Sequence, residues 1–164
     1  ANPAGLPSIR VATPEADPGL DTQQIILVQS DHRLNFYTGS RWPGPAPQMI
    51  GALAVETLRA SGAWQAVQDG DSPFPSDYLL RIKLRRFEAD YTGGGPAPEV
   101  YVVLDCTVGG HAEREVVATF TAQGTATASA DRMSAVAAAF EQATDQALDS
   151  LAGQARTVVA NAGR

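Results

Sequence analysis

Two histidines and one cysteine set narrow limits on the chemistry this chain can perform. A nucleophilic triad needs Ser or Cys, a base and an acid within hydrogen-bond reach. His32 sits in the turn-forming run Ser30-Asp31-His32, and His111 directly follows Gly109-Gly110. Side chains at such places are normally solvated, and neither histidine accompanies a strained G-x-S-x-G turn. Cys106 falls in phase with Val102, Leu104 and Val108, so it reads as a small buried hydrophobe. No spacing among these residues resembles a zinc site. Asp69, Asp71 and Asp77 gather around one loop but lack the Gly and closing Glu of an EF-hand. Gly93-Gly94-Gly95 leads through Pro96 and Pro98 into a strand, whereas a phosphate cradle opens a helix. The residues therefore predict no catalytic set, no metal and no cofactor.

Two other groups suit recognition. Arg81, Lys83 and Arg85 alternate along one strand face, with Arg86 adjacent. One reading is a partner surface for anions, such as lipid headgroups or an acidic protein. The other is a solvated sheet face paired across to acids such as Asp105. The second group gathers Phe36, Tyr37 and Trp42 around Gly39, with Arg41 beside them. Aromatics and Arg are enriched at contact hot spots, yet Trp42 can equally pack the loop onto its own core. The expectation is a mostly buried Trp42 with Arg41 and Tyr37 at the surface. Tyr37, Arg41, Trp42, Arg81, Lys83 and Arg85 are the candidate partner-binding residues.

The elements that position them follow from periodicity. Residues 8–12 and 24–29 read as strands, and 33–37 as the returning arm of a hairpin. Residues 14–19 are a connection, and residues 38–47, with Gly39, Gly44 and their prolines, a loop. Ile50, Leu53, Ala54, Thr57 and Leu58 form one stripe of a helix over 47–60, stopped by Ser61-Gly62. Residues 64–68 are a short strand candidate, and 69–75 a loop. In 78–88, Leu80, Ile82 and Leu84 face one way and the basic residues the other, the alternation of a half-buried antiparallel strand. Strands over 99–108 and 115–127 follow, and a long Ala-rich helix over 131–158 closes the chain. These elements predict an α+β fold, an antiparallel β-sheet with two main helices packed on one face.

The size of the chain, 164 residues, fits one domain over 1–164, with residues 1–7 as a flexible leader. Apolar residues make up 44% and charged residues 18%, the balance of a globular chain. A net charge of −6 argues against a nucleic-acid partner, which needs a basic face. The sequence leaves a homo-oligomer open.

The stretch over 19–67 resembles the ABC-type transport auxiliary lipoproteins, a family that includes the lipoprotein of the paraquat-inducible transport system. The shared features are Gly19-Leu20-Asp21-Thr22, the run Ile25 to Val28, Leu34, Tyr37, Arg41, Trp42 and Pro47. The helix carrying Leu53 and Leu58 before Ser61-Gly62 belongs to them as well. The segments FYTGSRWPGPAP and LRASGAWQAV are the most specific, and YLLRIKLRRFEADY, Glu99-Val100 and the Ala-rich last helix extend the likeness over 8–158. The resemblance implies a periplasmic domain, lipid-anchored to the outer membrane. It would be a non-catalytic docking or bridging module serving a transporter permease, an ATPase and an MCE-type protein that together move phospholipids or other hydrophobic molecules. A periplasmic carrier holding a hydrophobic ligand between sheet and helices is the second reading. The anchor would sit on the membrane through a lipobox Cys upstream of Ala1, at the end of a signal peptide.

Overall fold

A computed structural model describes residues 5–111 and 114–162. One strand organises the rest. The central strand β6 (Tyr78–Asp90) pairs on one side with β7 (Glu99–Gly110), which pairs in turn with β8 (Val116–Thr127), all antiparallel. On its other side β6 is lined successively by three short parallel strands. β1 (Ile9–Val11) meets Tyr78 to Leu80, β2 (Glu15–Ala16) meets Lys83 and Leu84, and β3 (Gln24–Val28) meets Glu88 to Asp90. The N-terminal segment thus runs alongside β6 from its start to its end. β4 (Leu34–Arg41) folds back antiparallel on β3, and β5 (Val67–Gln68) pairs parallel with β1. The sheet of eight strands is therefore mixed, and this corrects the antiparallel expectation. The hydrophobic period of a strand reports which face is buried and is silent on the direction of its neighbour.

Both helices lie on one face. α1 (Ala46–Ala60) packs on β1, β5 and β6, α2 (Met133–Ala162) packs on β8, β7 and β6, and the helices touch each other. Leu80, Ile82, Leu84, Phe87 and Ala89 of β6 supply the middle of the core, with Val100, Val102, Leu104, Cys106 and Val108 of β7 beside them. Each Leu, Ile, Val or Phe among them contributes about 1.5–3 kcal/mol on burial. The helix stripe Ile50, Ala54 and Leu58 is buried against them. Gly62, at φ +68°, takes the left-handed position after α1, and Ser61 Oγ donates to Leu58 O, so the stop at Ser61-Gly62 is as read.

Three boundaries moved. β4 continues through Gly39, at φ +79°, to Arg41, where a loop was expected. Gly39 has no side chain to alternate, and the irregular pairing between Gln24 and Ile26 absorbs the bend. Residues 14–19 contain the two-residue strand β2. Within the stretch read as a leader, Leu6 bridges Trp64 and exchanges hydrogen bonds with Ala63 O and Gln65 N, each at 2.7 Å, while residues 1–4 lie outside the described residues.

Cys106 is buried on the helix-facing side of β7, with its Sγ directed at Leu104 O, 3.8 Å away. Burial, and then the charge of Asp105, push its thiol up to about 12. The reactive thiolate is therefore scarce at neutral pH. Thiol reagents are expected to label native protein far more slowly than urea-unfolded protein; equal rates would place Cys106 on the wrong face.

Candidate docking surface on the open face of the sheet

The face of the sheet opposite the helices carries four of the six candidate residues. Arg81, Lys83 and Arg85 alternate outward along β6, and each meets an acid. Arg81 pairs with Glu15 at 2.9 Å, Lys83 with Asp17 at 3.0 Å and Arg85 with Asp105 at 3.0 Å. β2 and the residues just after it supply two of those acids, and β7 the third. The stripe is thus an ion-paired, solvated row, the plainer of its two readings. Exposed pairs of this kind are worth about 0–1 kcal/mol each. Arg85→Gln is therefore expected to shift urea stability by about 1 kcal/mol or less; a larger loss would show that the pair is more than a surface contact.

A break in alternation builds a second feature. The register shifts between Leu84 and Arg86, so Arg85 is the extra residue and Arg86, Glu88 and Asp90 now face outward. Arg86 donates to Glu88 Oε2 at 2.8 Å and 3.2 Å and to Asp90 Oδ2 at 3.1 Å. Its guanidinium lies 4.2 Å from the centre of the Tyr101 ring. The hydrogen bond to Glu88 is the first cause raising the Arg86 guanidinium above its ordinary value. Tyr101 donates to Glu99 Oε2 at 2.8 Å.

Beside this cluster lies an apolar strip. Phe36 is in register with Ile26, which is in register with Glu88; Leu34 is likewise aligned through Val28 with Asp90. Directly paired strand residues share a face, so Leu34 and Phe36 stand on the same open face as Arg86. They are 67% and 41% exposed on a strand that, among the described residues, pairs on one side only. Arg41, in register with Gln24 at the other end of β4, is exposed as well. The sequence places Phe36 among the aromatics suited to recognition but does not reveal Leu34 as its exposed neighbour. The signal was their i, i+2 spacing on a strand that also carries Tyr37, which faces the other way.

Trp42 turns towards the helices, and Tyr37, expected at the surface, turns with it and packs against the core because it alternates with Phe36 on β4. Trp42 packs against Phe87 and Phe140, with ring centroids at 5.2 Å and 5.0 Å, and Phe87 meets Phe140 at 5.1 Å. Its backbone N–H donates to Gln23 O, and Gln23 Nε2 reaches Pro43 O, so both sides of the Trp42 loop are held by the start of β3. Tyr37 is half-buried and shares a 2.6 Å hydrogen bond with Tyr91, which donates to Asp131 Oδ1 at 2.8 Å. Burial is the first cause raising both phenols above their ordinary value. This chain of bonds ties the β3–β4 hairpin to the residues before α2.

His32 and His111 are exposed. Among the described residues no group of three or more His, Cys, Asp or Glu side chains is placed to hold a metal ion. Also among the described residues, no helix is long and apolar enough to cross a membrane.

The comparison with known proteins adds the class. Residues 1–152 match the model of the ABC-type transport auxiliary lipoprotein component. The chain belongs to this family. A solved Xanthomonas campestris protein, assigned to the family model DUF330, is 32% identical, with a TM-score of 0.89 over 99% of this chain and 92% of its own. Two other solved structures share the fold of the auxiliary lipoprotein family at lower identity. One is an uncharacterized protein at 15% identity and TM-score 0.75, covering 93% of this chain and 94% of its own. The other is a hypothetical protein from Chlamydia trachomatis at 7% identity and TM-score 0.55, covering 94% of each chain. No curated protein matches the chain. Membership makes this an auxiliary component associated with an ABC-type transport system and a member of a lipoprotein family.

Proposed function

We propose that this auxiliary lipoprotein is a non-catalytic, periplasmic docking module of an MCE-associated lipid transport system, anchored at the outer membrane. Its partners in this reading are the system's MCE-type protein, permease and ATPase, and the MCE-type protein is the one it touches directly. The observation that carries docking is the exposed strip of Leu34 and Phe36 beside the Arg86 cluster and Arg41. An apolar centre with aromatic and arginine neighbours is the composition of an interface core. The ion-paired row of Arg81, Lys83 and Arg85 suits its polar rim, where charges set orientation more than affinity.

The interior speaks against the carrier reading. Between sheet and helices, Trp42, Phe87 and Phe140 fill the middle. Gly124 of β8 lies so close to α2 that an added Cβ would fall 2.0 Å from Ala143 O. A site for an acyl chain needs a cavity of a few hundred Å³, and this interface is packed shut along α2. An organic extract of purified protein is therefore expected to contain no stoichiometric lipid by mass spectrometry. One bound lipid per chain, retained through purification, would replace docking with carriage.

A further inference from the structure

We propose that the end of the domain where β6 begins is a bilayer-contacting surface, with Phe74 as the side chain that enters the lipid. The inference rests on the lipoprotein reading given above. Phe74 is 69% exposed, yet the loop that presents it is held rigidly. The guanidinium of Arg10, on the open face of β1, donates to the carbonyls of Ser72 and Phe74. Gln68 donates to Pro75 O at 3.1 Å, and the Phe74 N–H donates to Ser72 Oγ at 3.3 Å. Pro73 and Pro75 flank the ring and stiffen the loop further. An exposed phenyl on a backbone held in place gains nothing for the core, and the loop loses little entropy when the ring is buried in a second phase.

Three segments meet at this end. Ser8 donates through its N–H and its hydroxyl to Asp77 Oδ2, both at 3.0 Å, and Asp77 O accepts from the His111 N–H at 2.9 Å. The N-terminal strand, the Phe74 loop and the connection from β7 to β8 are therefore one bonded unit. Val116, 66% exposed, begins β8 here. A mostly apolar hollow of about 280 Å³ lies beside it, lined by Leu79, Gly109 and Val116 together with Arg81, Arg114 and Glu115. Exposed apolar side chains with Arg114 and the Glu15-paired Arg81 beside them suit the boundary between acyl chains and headgroups. A tether attached upstream of Leu6 would reach the domain at this end, because Leu6 is bridged to Trp64 at the edge of the same unit. The Leu34–Phe36 strip lies at the opposite end of β6, beside Glu88 and Asp90, and so is remote from that surface.

An artificial tether tests this. The chain, carrying an N-terminal histidine tag, is held on vesicles of phosphatidylethanolamine, phosphatidylglycerol and a nickel-chelating lipid. Phe74→Cys, Val116→Cys and Leu34→Cys each carry an environment-sensitive fluorophore, with Cys106 shielded by the fold. The expected result is a blue shift and quenching by a lipid-borne spin label at positions 74 and 116 and none at 34. Phe74→Ala is expected to keep its melting temperature and to weaken vesicle retention at limiting nickel lipid about tenfold. No quenching at 74, or equal quenching at 34, overturns the proposal. A response at 74 that appears only when the MCE-type protein is added overturns it too, and makes the loop a protein contact. A native chain found without lipid would remove the lipoprotein reading and leave the tethered result unchanged, so the two failures are distinguishable.

Discussion

Gly124→Ala is expected to destabilise the fold by about 3 kcal/mol or more, at or above the usual range for overpacking. The Cβ it introduces would fall 2.0 Å from Ala143 O, 2.9 Å from Ala143 C and 2.9 Å from Gln146 Cβ. Two of those atoms are helix backbone, so no rotamer change relieves the clash. The helix α2 must lift from β8, its most extensively packed partner. That movement would also strain the hydrogen bonds by which Gln146 and Gln154 hold the edge of β8, at Thr125 N and Thr121 O. Gly153, on the exposed side of the same helix, has nothing within 4 Å of the point where a Cβ would stand. Gly153→Ala is accordingly expected to stabilise by about 0.5–1 kcal/mol. Urea denaturation of the pair measures both. An unchanged midpoint for Gly124→Ala would mean that α2 sits farther from the sheet.

Trp42→Ala is expected to cost about 3–5 kcal/mol. In a chain of this size that corresponds to a fall in Tm of roughly 10 °C. The indole is the lid of the Trp42–Phe87–Phe140 cluster, which joins the β4–α1 loop, β6 and α2. Removing it leaves two phenyl rings facing water. Arg41→Ala, one residue away but exposed, is expected to leave Tm within about 2 °C, as surface substitutions do. The contrast separates the two roles once open for this segment. A Trp42→Ala protein with native Tm and weakened partner binding would return Trp42 to the contact surface.

The long strands and both helices were legible because their patterns are strong. The alternation of Leu80, Ile82 and Leu84 survives until the Arg85-Arg86 doublet, where the bulge resets it. That doublet was itself a visible mark of the break. The partner of Arg85 was equally readable, since Asp105 lies on the solvent phase of the next long strand. Glu15 and Asp17 were not, because a two-residue strand has no period and its parallel alignment with Lys83 and Leu84 depends on tertiary packing. β4 runs to Arg41, past the end its sequence predicts, because Gly39 breaks the apolar pattern without breaking the hydrogen bonding. The i, i+2 spacing of Leu34 and Phe36 marks a shared face, but their exposure arises from β4 being, among the described residues, the last strand on its side of the sheet. The rigidity of the Phe74 loop depends on Arg10, far away in sequence, and was hidden for the same reason.

The docking claim meets its most direct test in the affinity of the purified chain for the MCE-type protein of its own transport system. Titration calorimetry with wild type, Leu34→Asp/Phe36→Asp and Arg85→Gln reads it. The account predicts saturable binding by wild type and a loss of at least about tenfold in the double variant, as for hot-spot residues. The double variant should fold normally, because both side chains are exposed, and Arg85→Gln should bind within about threefold of wild type, as a rim charge does. Undiminished binding by a folded Leu34→Asp/Phe36→Asp protein, or no binding by wild type, would contradict it.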